Sequence, residues 1–416
     1  MLSSAVIAGI ITNLTSGIFY TGFMIGNNIN IVNVGIISFI PYIASIFCIF
    51  APTILERFRK RRWILAFAKL FYYTLNVLGI TLLPVFVSDT KIKVICFAVI
   101  VFISGIVNSF CSSGYSSWQV NFLPDDVRAD YFTLQHFFCN MITGIVVVVS
   151  GIISDSLSAS GHQLEIISIL RYIAYFLALV DVVILSLPKE YPYLHTSENF
   201  KVLDIFRIPF KYKPFILVMA VVFARTFSTT MSTSAHSYYL LNDAGVKYTF
   251  ISGINAAYFL FFFIFSKFWK GMISRRGWLY TFAVAQILWA PTSFVYAFVN
   301  SQNYTWLMLT VRILQHILGV GVSITVANMA FIQLPETDRT YYISFFTIIS
   351  SLSNFFGVMF GTLIISAFGD RLITMFGTTF YPAQILLFIE SFFEIITALI
   401  AVNVSRTIKK SSASAV

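Results

Sequence analysis

Charge is scarce in this sequence. Asp, Glu, Lys and Arg make up 11% of its 416 residues and 58% are hydrophobic, whereas a soluble domain is about 25% charged. A water-facing globular fold is excluded at that ratio. Acids are scarcer still, 17 against 27 bases, and they are scattered over several segments. There is no His-Glu-x-x-His, no Gly-x-Gly-Asp and no Walker loop, so neither a membrane-embedded hydrolase nor an ATP-driven pump is expected, and the chain reads as no enzyme. Cysteine is rare as well. Cys48, Cys96, Cys111 and Cys139 lie in apolar stretches of the first half, with no pair at metal-ligand spacing, and read as packing thiols. No metal and no cofactor are expected.

What fills the chain instead is about twelve long apolar runs, each near the roughly 20 residues that cross a bilayer core as a helix. Spans 1 to 12 are expected near 2–26, 31–55, 63–87, 94–119, 133–155, 165–187, 214–240, 248–267, 278–300, 304–332, 341–368 and 381–405. They are too long and too uniformly apolar for barrel strands, so the fold class is all-α, a polytopic membrane protein. The opening "MLSSAVIAGIITNL" has no charged start and no small-residue cleavage site, and reads as a retained first span.

The net charge of +10 reports topology and not a nucleic-acid partner. With the N-terminus in the cytoplasm, the inward loops and tail hold the bases of 57–62, Arg128, those of 189–213 and 267–276, Arg339, Arg406, Lys409 and Lys410. Outward loops hold only Lys91, Lys93, Lys247 and Arg371. That asymmetry follows the positive-inside rule and puts both termini in the cytoplasm. Short loops in a compact chain suggest a bacterial inner membrane, and a monomer is expected.

One polar motif occurs twice. "LPDDVRADYF" at 123–132 returns as "LPETDRTYYI" at 334–343, each copy in an inward loop, between spans 4 and 5 and between spans 10 and 11. The longest polar connection, 188–213, separates them. It divides the chain into a six-span bundle at 1–187 and another at 214–416, pseudo-symmetric repeats running parallel. Within each copy Pro124 or Pro335 is suited to open the following helix, with Asp125, Asp126 or Glu336 at its positive end. Arg128 and Arg339 then need partners, which makes them candidates for conformational gating. Part of the connection, from Phe200 to Phe210, mixes apolar and charged residues and is suited to the membrane surface.

With these features the chain resembles the Major Facilitator Superfamily over essentially its whole length. The family's loop motif after span 2 is degenerate here: in "PTILERFRKR", 52–61, Glu56 and Arg57 stand where its acid and base belong, adding two gating candidates. Span 5, "MITGIVVVVSGIISD", lacks the Gly-Pro pair of drug/proton antiporters, and their Arg-x-x-Gln-Gly pattern is absent from span 4. Something similar, "RILQHILGVGVS", sits in span 10.

The resemblance implies a central cavity lined by spans 1, 4, 7 and 10, and polarity is concentrated there. Span 7 contains "TFSTTMSTSAHS", span 4 "CSSGYSSWQ" and span 1 "TNLTSGIFY". Asn13, Tyr20, Tyr115, Trp118, Arg225, Ser232, His236 and Tyr238 are therefore the candidate substrate-binding residues, with close packing of small residues as the alternative. An unpaired Arg225 would favour anionic solutes.

Charge inside a span is costly and usually retained for function or pairing. At 1.5 Å per residue, Arg225, Arg312, His316, Glu390 and Glu394 lie about 12 to 20 Å deep. Arg312 and His316 share one helix face, as do Glu390 and Glu394. Either these four form a proton-coupling network, or the acids on a peripheral last span simply neutralise Arg312. Lys69 and Asp181 read as a structural pair or as snorkelling charges. The expected function is a secondary transporter of a small polar organic solute, sugar-like or an organic anion, working by alternating access with protons as co-substrate. The alternatives are efflux of lipophilic or drug-like solutes, and a non-transporting receptor or lipid-handling protein on the same scaffold.

Overall fold

The computed structural model describes residues 2–50, 58, 60–122, 125–158, 162–188, 203–329, 332, 333, 335, 339–369, 371–375 and 377–413. Among them eleven helices are long and apolar enough to cross a membrane. The expected ninth span is also a helix, Trp278–Tyr296, kept out of that set by a more polar make-up that includes Gln286, Pro291, Thr292 and Ser293. A two-stranded hairpin, β1 (Ile373–Met375) with β2 (Thr378–Phe380), joins the last two spans. It is the one non-helical element among the described residues. In a bilayer these long helices satisfy their own backbone groups, which is why apolar runs of this length adopt them.

The helices fall into two compact units, 1–200 with 246–256, and 201–245 with 257–416. In the first unit span 1 is split into α1 (Leu2–Thr15) and α2 (Gly17–Gly26). Ser16 is extended and Gly17 has φ +58°, a left-handed conformation that glycine adopts without Cβ strain. The unit continues with α3 (Ile31–Ile46) and α4 (Arg62–Tyr73), followed by a π-helical turn, Thr74–Gly79, and α5 (Ile80–Phe86). Next come α6 (Thr90–Phe122), α7 (Asp125–Ser158) and α8 (Gln163–Ser186). Its core packs Ile11 and Leu14 of α1 against Tyr73, Val77, Ala174 and Ala178.

The second unit begins with a short helix, α9 (Asp204–Lys211). Span 7 is again split, into α10 (Lys213–Thr230) and α11 (Thr233–Asn242). Here the hydroxyls of Ser228, Thr229 and Thr230 bond back to carbonyls three or four residues earlier, which weakens and bends a helix. α12 (Tyr248–Arg276), α13 (Trp278–Tyr296), α14 (Tyr304–Asn328), α15 (Arg339–Phe368) and α16 (Pro382–Ala413) complete the chain. Gly357 and Gly361 let α15 cross the split closely: a Cβ on Gly361 would collide with the Met231 carbonyl, and one on Gly357 would lie 2.7 Å from the Phe227 carbonyl.

Each copy of the repeated motif is described only in part. α7 starts at Asp125, directly after Pro124, as its chemistry suggests. In the second copy α15 is described from Arg339, and the residues between it and Pro335 lie outside the described ones.

Candidate functional site

Each unit holds a polar centre inside its bundle. In the first, Arg171 of α8 is 1% exposed. Its Nε donates to Thr81 Oγ1 at 2.8 Å, one terminal nitrogen to the Asn76 carbonyl at 3.1 Å and the other to the Thr15 carbonyl at 3.4 Å. Thr15 is the last residue of α1, whose final carbonyls have no partner in their own helix. Asn76 lies in the π-helical turn. Both acceptors are thus backbone groups released by a local irregularity, and the guanidinium fork reaches both. The rings of Phe23, at 4.8 Å, and Tyr20, at 5.9 Å, cover the cation. No acid forms an ion pair with Arg171 among the described residues.

A second cluster in the same unit is built around Asp181, which is fully buried. It accepts from Lys69 Nζ at 2.7 Å, from the Tyr73 hydroxyl at 2.8 Å and from the Ser4 hydroxyl. Lys69 sits 4.7 Å from the Tyr115 ring, and the Tyr115 hydroxyl donates to the Leu65 carbonyl at 2.7 Å. Lys69 and Asp181 are therefore an ion pair and not snorkelling charges. Asn13 is exposed and bonds back to Gly9 of its own helix at 3.0 Å. A third contact lies at the start of α12, whose residues 248–256 belong to this unit: Asp155 accepts from the backbone N–H of Tyr248 at 2.9 Å and of Thr249 at 2.6 Å. These are first-turn amides of α12, where a carboxylate satisfies orphan donors and the positive end of the helix.

The second unit's centre lies on α10, α11, α13, α14 and α16. Arg225 faces Glu394 at 3.4 Å, with Trp289 5.6 Å from its guanidinium. One turn earlier on α16, Glu390 accepts a hydrogen bond from Ser232. Ser232 stands at the N-terminus of α11 yet makes no side-chain cap to its own helix. Gln286 and Ser293 of α13 lie beside the Glu394 carboxylate. Arg312 donates to the Tyr296 hydroxyl at 3.1 Å and to Gln315 Oε1 at 3.3 Å, and the Tyr296 ring also packs against His236 at 4.7 Å. Both ring nitrogens of the buried His236 have hydrogen-bonding capacity unused among the described residues. Leaving such groups unmatched costs about 1–3 kcal/mol each, more where charge is involved.

The structure thus gathers Arg225, Ser232, His236, Arg312, Glu390 and Glu394 into one centre, with three corrections. The hydrogen-bonded partner of Glu394 is Arg225 and not Arg312. His316 lies between the rings of Tyr258, at 5.5 Å, and Phe261, at 5.6 Å, turned toward α12. The last span is not peripheral either, since half of its most apolar window is buried. Tyr20 joins Arg171 in the other unit, and Tyr238 is half-buried. The Trp118, Arg128 and Arg339 side chains, and Glu56 and Arg57 altogether, lie outside the described residues.

Sequence reasoning missed Arg171, Asp155 and Gln286. The depth rule that marks Arg225 would have marked Arg171 too, an arginine eight residues into an apolar span. Gln286 is the only amide side chain in its helix. Asp155 carries no comparable signal, because its partners are backbone amides of a helix about ninety positions away.

Among known proteins, residues 217–414 match the family model described as Major Facilitator Superfamily. No curated protein matches the chain in sequence. Solved structures share its fold. A mutant of the nucleoside transporter NupG aligns with TM-score 0.69 at 13% identity, over 97% of this chain and 99% of that one. A D-xylose-proton symporter aligns with TM-score 0.69 at 14% identity, over 96% and 95%. A bacterial homolog of the human lysosomal transporter Spinster, inward-facing and unoccupied, gives TM-score 0.69 at 14% identity, over 98% and 96%. The chain thus carries the sequence pattern of the Major Facilitator Superfamily, a family of transporters, over residues 217–414, and shares a multi-pass helical fold with solved transporters along nearly all its length.

Proposed function

We propose that this protein is a secondary carrier that moves a small polar organic solute, sugar-like or an organic anion, by alternating access, with protons as the coupling ion. The supporting observation is the centre of the second unit, where a split helix offers Ser232 to Glu390 one turn from the Arg225–Glu394 ion pair. A carboxylate facing a guanidinium favours its ionised form, and one that loses this partner in a dry bundle favours the proton. Exchange of Arg225 for a proton at Glu394 is then the coupling step, with Arg312 beside the acids. Solute meets the unmatched nitrogens of His236 and the hydroxyl-rich split of span 7. The solutes in the names of two proteins sharing this fold, D-xylose and nucleosides, are polar organic molecules, which fits that lining.

In this reading the two units are the six-span halves, joined through 188–213 on the cytoplasmic side. Both termini are cytoplasmic, in a bacterial inner membrane, and the carrier works as a monomer. Glu56, Arg57, Arg128 and Arg339 gate the cytoplasmic side. The test is thermal stability of the purified protein against sugars, nucleosides, organic anions, amino acids and lipophilic cations at acidic and neutral pH, because a ligand of the folded state raises its melting temperature. A polar hit should then drive uptake into proteoliposomes under an imposed proton gradient, and Glu394→Gln should abolish the gradient's effect while binding persists. Hits confined to lipophilic cations would point to efflux. Binding without any uptake would point to a receptor.

A further inference from the structure

The short helix α9 is organised in strips four residues apart, the spacing that puts side chains on one helix face. Ile205 and Pro209 are buried. Next to them around the helix, Phe206 and Phe210 are 37% and 63% exposed, and Leu203, just before the helix, is 82% exposed. Next again, Arg207 and Lys211 are exposed, as is Lys213 just beyond. None of these three cations has a hydrogen bond or ion pair among the described residues.

The position of α9 is fixed by covalent connection. It ends at Lys211, and only Tyr212 separates it from α10, a helix that crosses the membrane. It therefore lies within a residue of the membrane surface. It is also held there: Phe206 and Phe210 meet Phe345 of α15 at ring distances of 6.2 and 5.4 Å, and the Tyr212 hydroxyl bonds Gln333 at 3.4 Å. A helix held at this depth, with an aromatic strip beside a basic one, matches a bilayer surface whose acyl region takes the rings and whose headgroups take the cations.

We propose that α9 and Lys213 form a binding site for an anionic phospholipid, with Arg207, Lys211 and Lys213 on the phosphate-bearing headgroup and Leu203, Phe206 and Phe210 against its acyl chains. Three free cations outnumber the half-buried Asp204, which lies on the same side of the helix three residues before Arg207, so the strip favours negative charge. Zwitterionic lipid satisfies the aromatic strip equally well and the basic strip poorly. Since α9 packs on the first turns of α15, next to the second copy of the repeated motif, an occupied site also steadies that end of the bundle.

The test is native mass spectrometry of the full-length protein titrated with phosphatidylglycerol or phosphatidylcholine, which resolves individual binding steps. Wild type should show a first phosphatidylglycerol step tighter than any phosphatidylcholine step. Each of Arg207→Gln, Lys211→Gln and Lys213→Gln should weaken it about fivefold, the effect of one cation near an anionic surface, and the triple variant should abolish the preference. All three side chains are on the surface, and the single variants give a graded answer even if the triple one folds poorly. Phe210→Ser should weaken both lipids alike. Equal binding of the two lipids by wild type would overturn the proposal. So would a preference surviving in the triple variant, or a dimer lost in Phe210→Ser, which would make the strip a contact between copies of this chain.

Discussion

Split helices in the two units are stabilised by opposite charges. In the first, Arg171 reaches the carbonyl end of α1; in the second, Glu390 takes a hydroxyl at the amide end of α11. Both charges occupy the ninth position of their helix, counting 163 to 171 in α8, the sixth span, and 382 to 390 in α16, the twelfth. A broken helix exposes a partly negative end and a partly positive one, and each unit has a charge suited to one of them. The consequences differ. The backbone acceptors of Arg171 cannot change protonation, so that link does not depend on a proton at the acceptor. The acids of the second unit face a guanidinium and a hydroxyl, partners that can be exchanged for a proton or a ligand. In the proposed function one unit is pinned and the other switches.

The most severe test of that contrast is to remove half of the exchangeable pair. Arg225→Met leaves Glu394 buried without its cation and should cost about 3–5 kcal/mol, whereas Arg225→Met with Glu394→Leu should recover most of it, because two apolar side chains replace a desolvated ion pair. Urea or thermal unfolding of the full-length protein reads both. A double variant no more stable than Arg225→Met would mean that the pair is not coupled. Arg171 has no acid to rescue it. Arg171→Met should cost about 2–3 kcal/mol through the unmatched carbonyls of Thr15 and Asn76, and Arg171→Lys should not restore stability, since one ammonium cannot span acceptors on two helices. Full rescue by lysine would remove the pin from the account.

The close crossing at the second split gives a smaller effect. Gly361→Ala drives a methyl into the Met231 carbonyl and should cost about 1–3 kcal/mol, as overpacking does. Gly253, on α12, has open space around its Cβ position, so Gly253→Ala should be neutral or stabilising by about 0.4–1 kcal/mol. Melting temperatures that fall equally for both would show that helix geometry, and not the crossing, sets the response.

Spans and their order were legible because apolar length is written directly into the chain, and so was the polar character of span 7. Pairings were less so. Arg225, Arg312, Glu390 and Glu394 stand out by composition, but which arginine meets which acid depends on the rotation of α10 and α14 about their axes. Ridges of large apolar side chains set that rotation, and hydropathy does not record it. The split in span 1 was present as Thr-Ser-Gly, yet the same letters also serve close packing. Asp155 was invisible because its partners are backbone amides, which every residue carries.

The mildest change bears on the geometry of the first split itself. Gly17 has φ +58° with nothing within 4 Å of where a Cβ would stand, so Gly17→Ala meets no neighbour and is opposed only by its backbone. The left-handed conformation costs a non-glycine residue roughly 1–2 kcal/mol. If Arg171 keeps its hold on the Thr15 carbonyl, the split persists and the loss appears in full. If the chain straightens into one continuous helix instead, that carbonyl is reclaimed by the helix and Arg171 loses an acceptor, so Arg171→Met would then cost less in the Gly17→Ala background than in wild type. Additive losses from the two changes mean that the break is held by the cation; a shortfall means that glycine alone creates it.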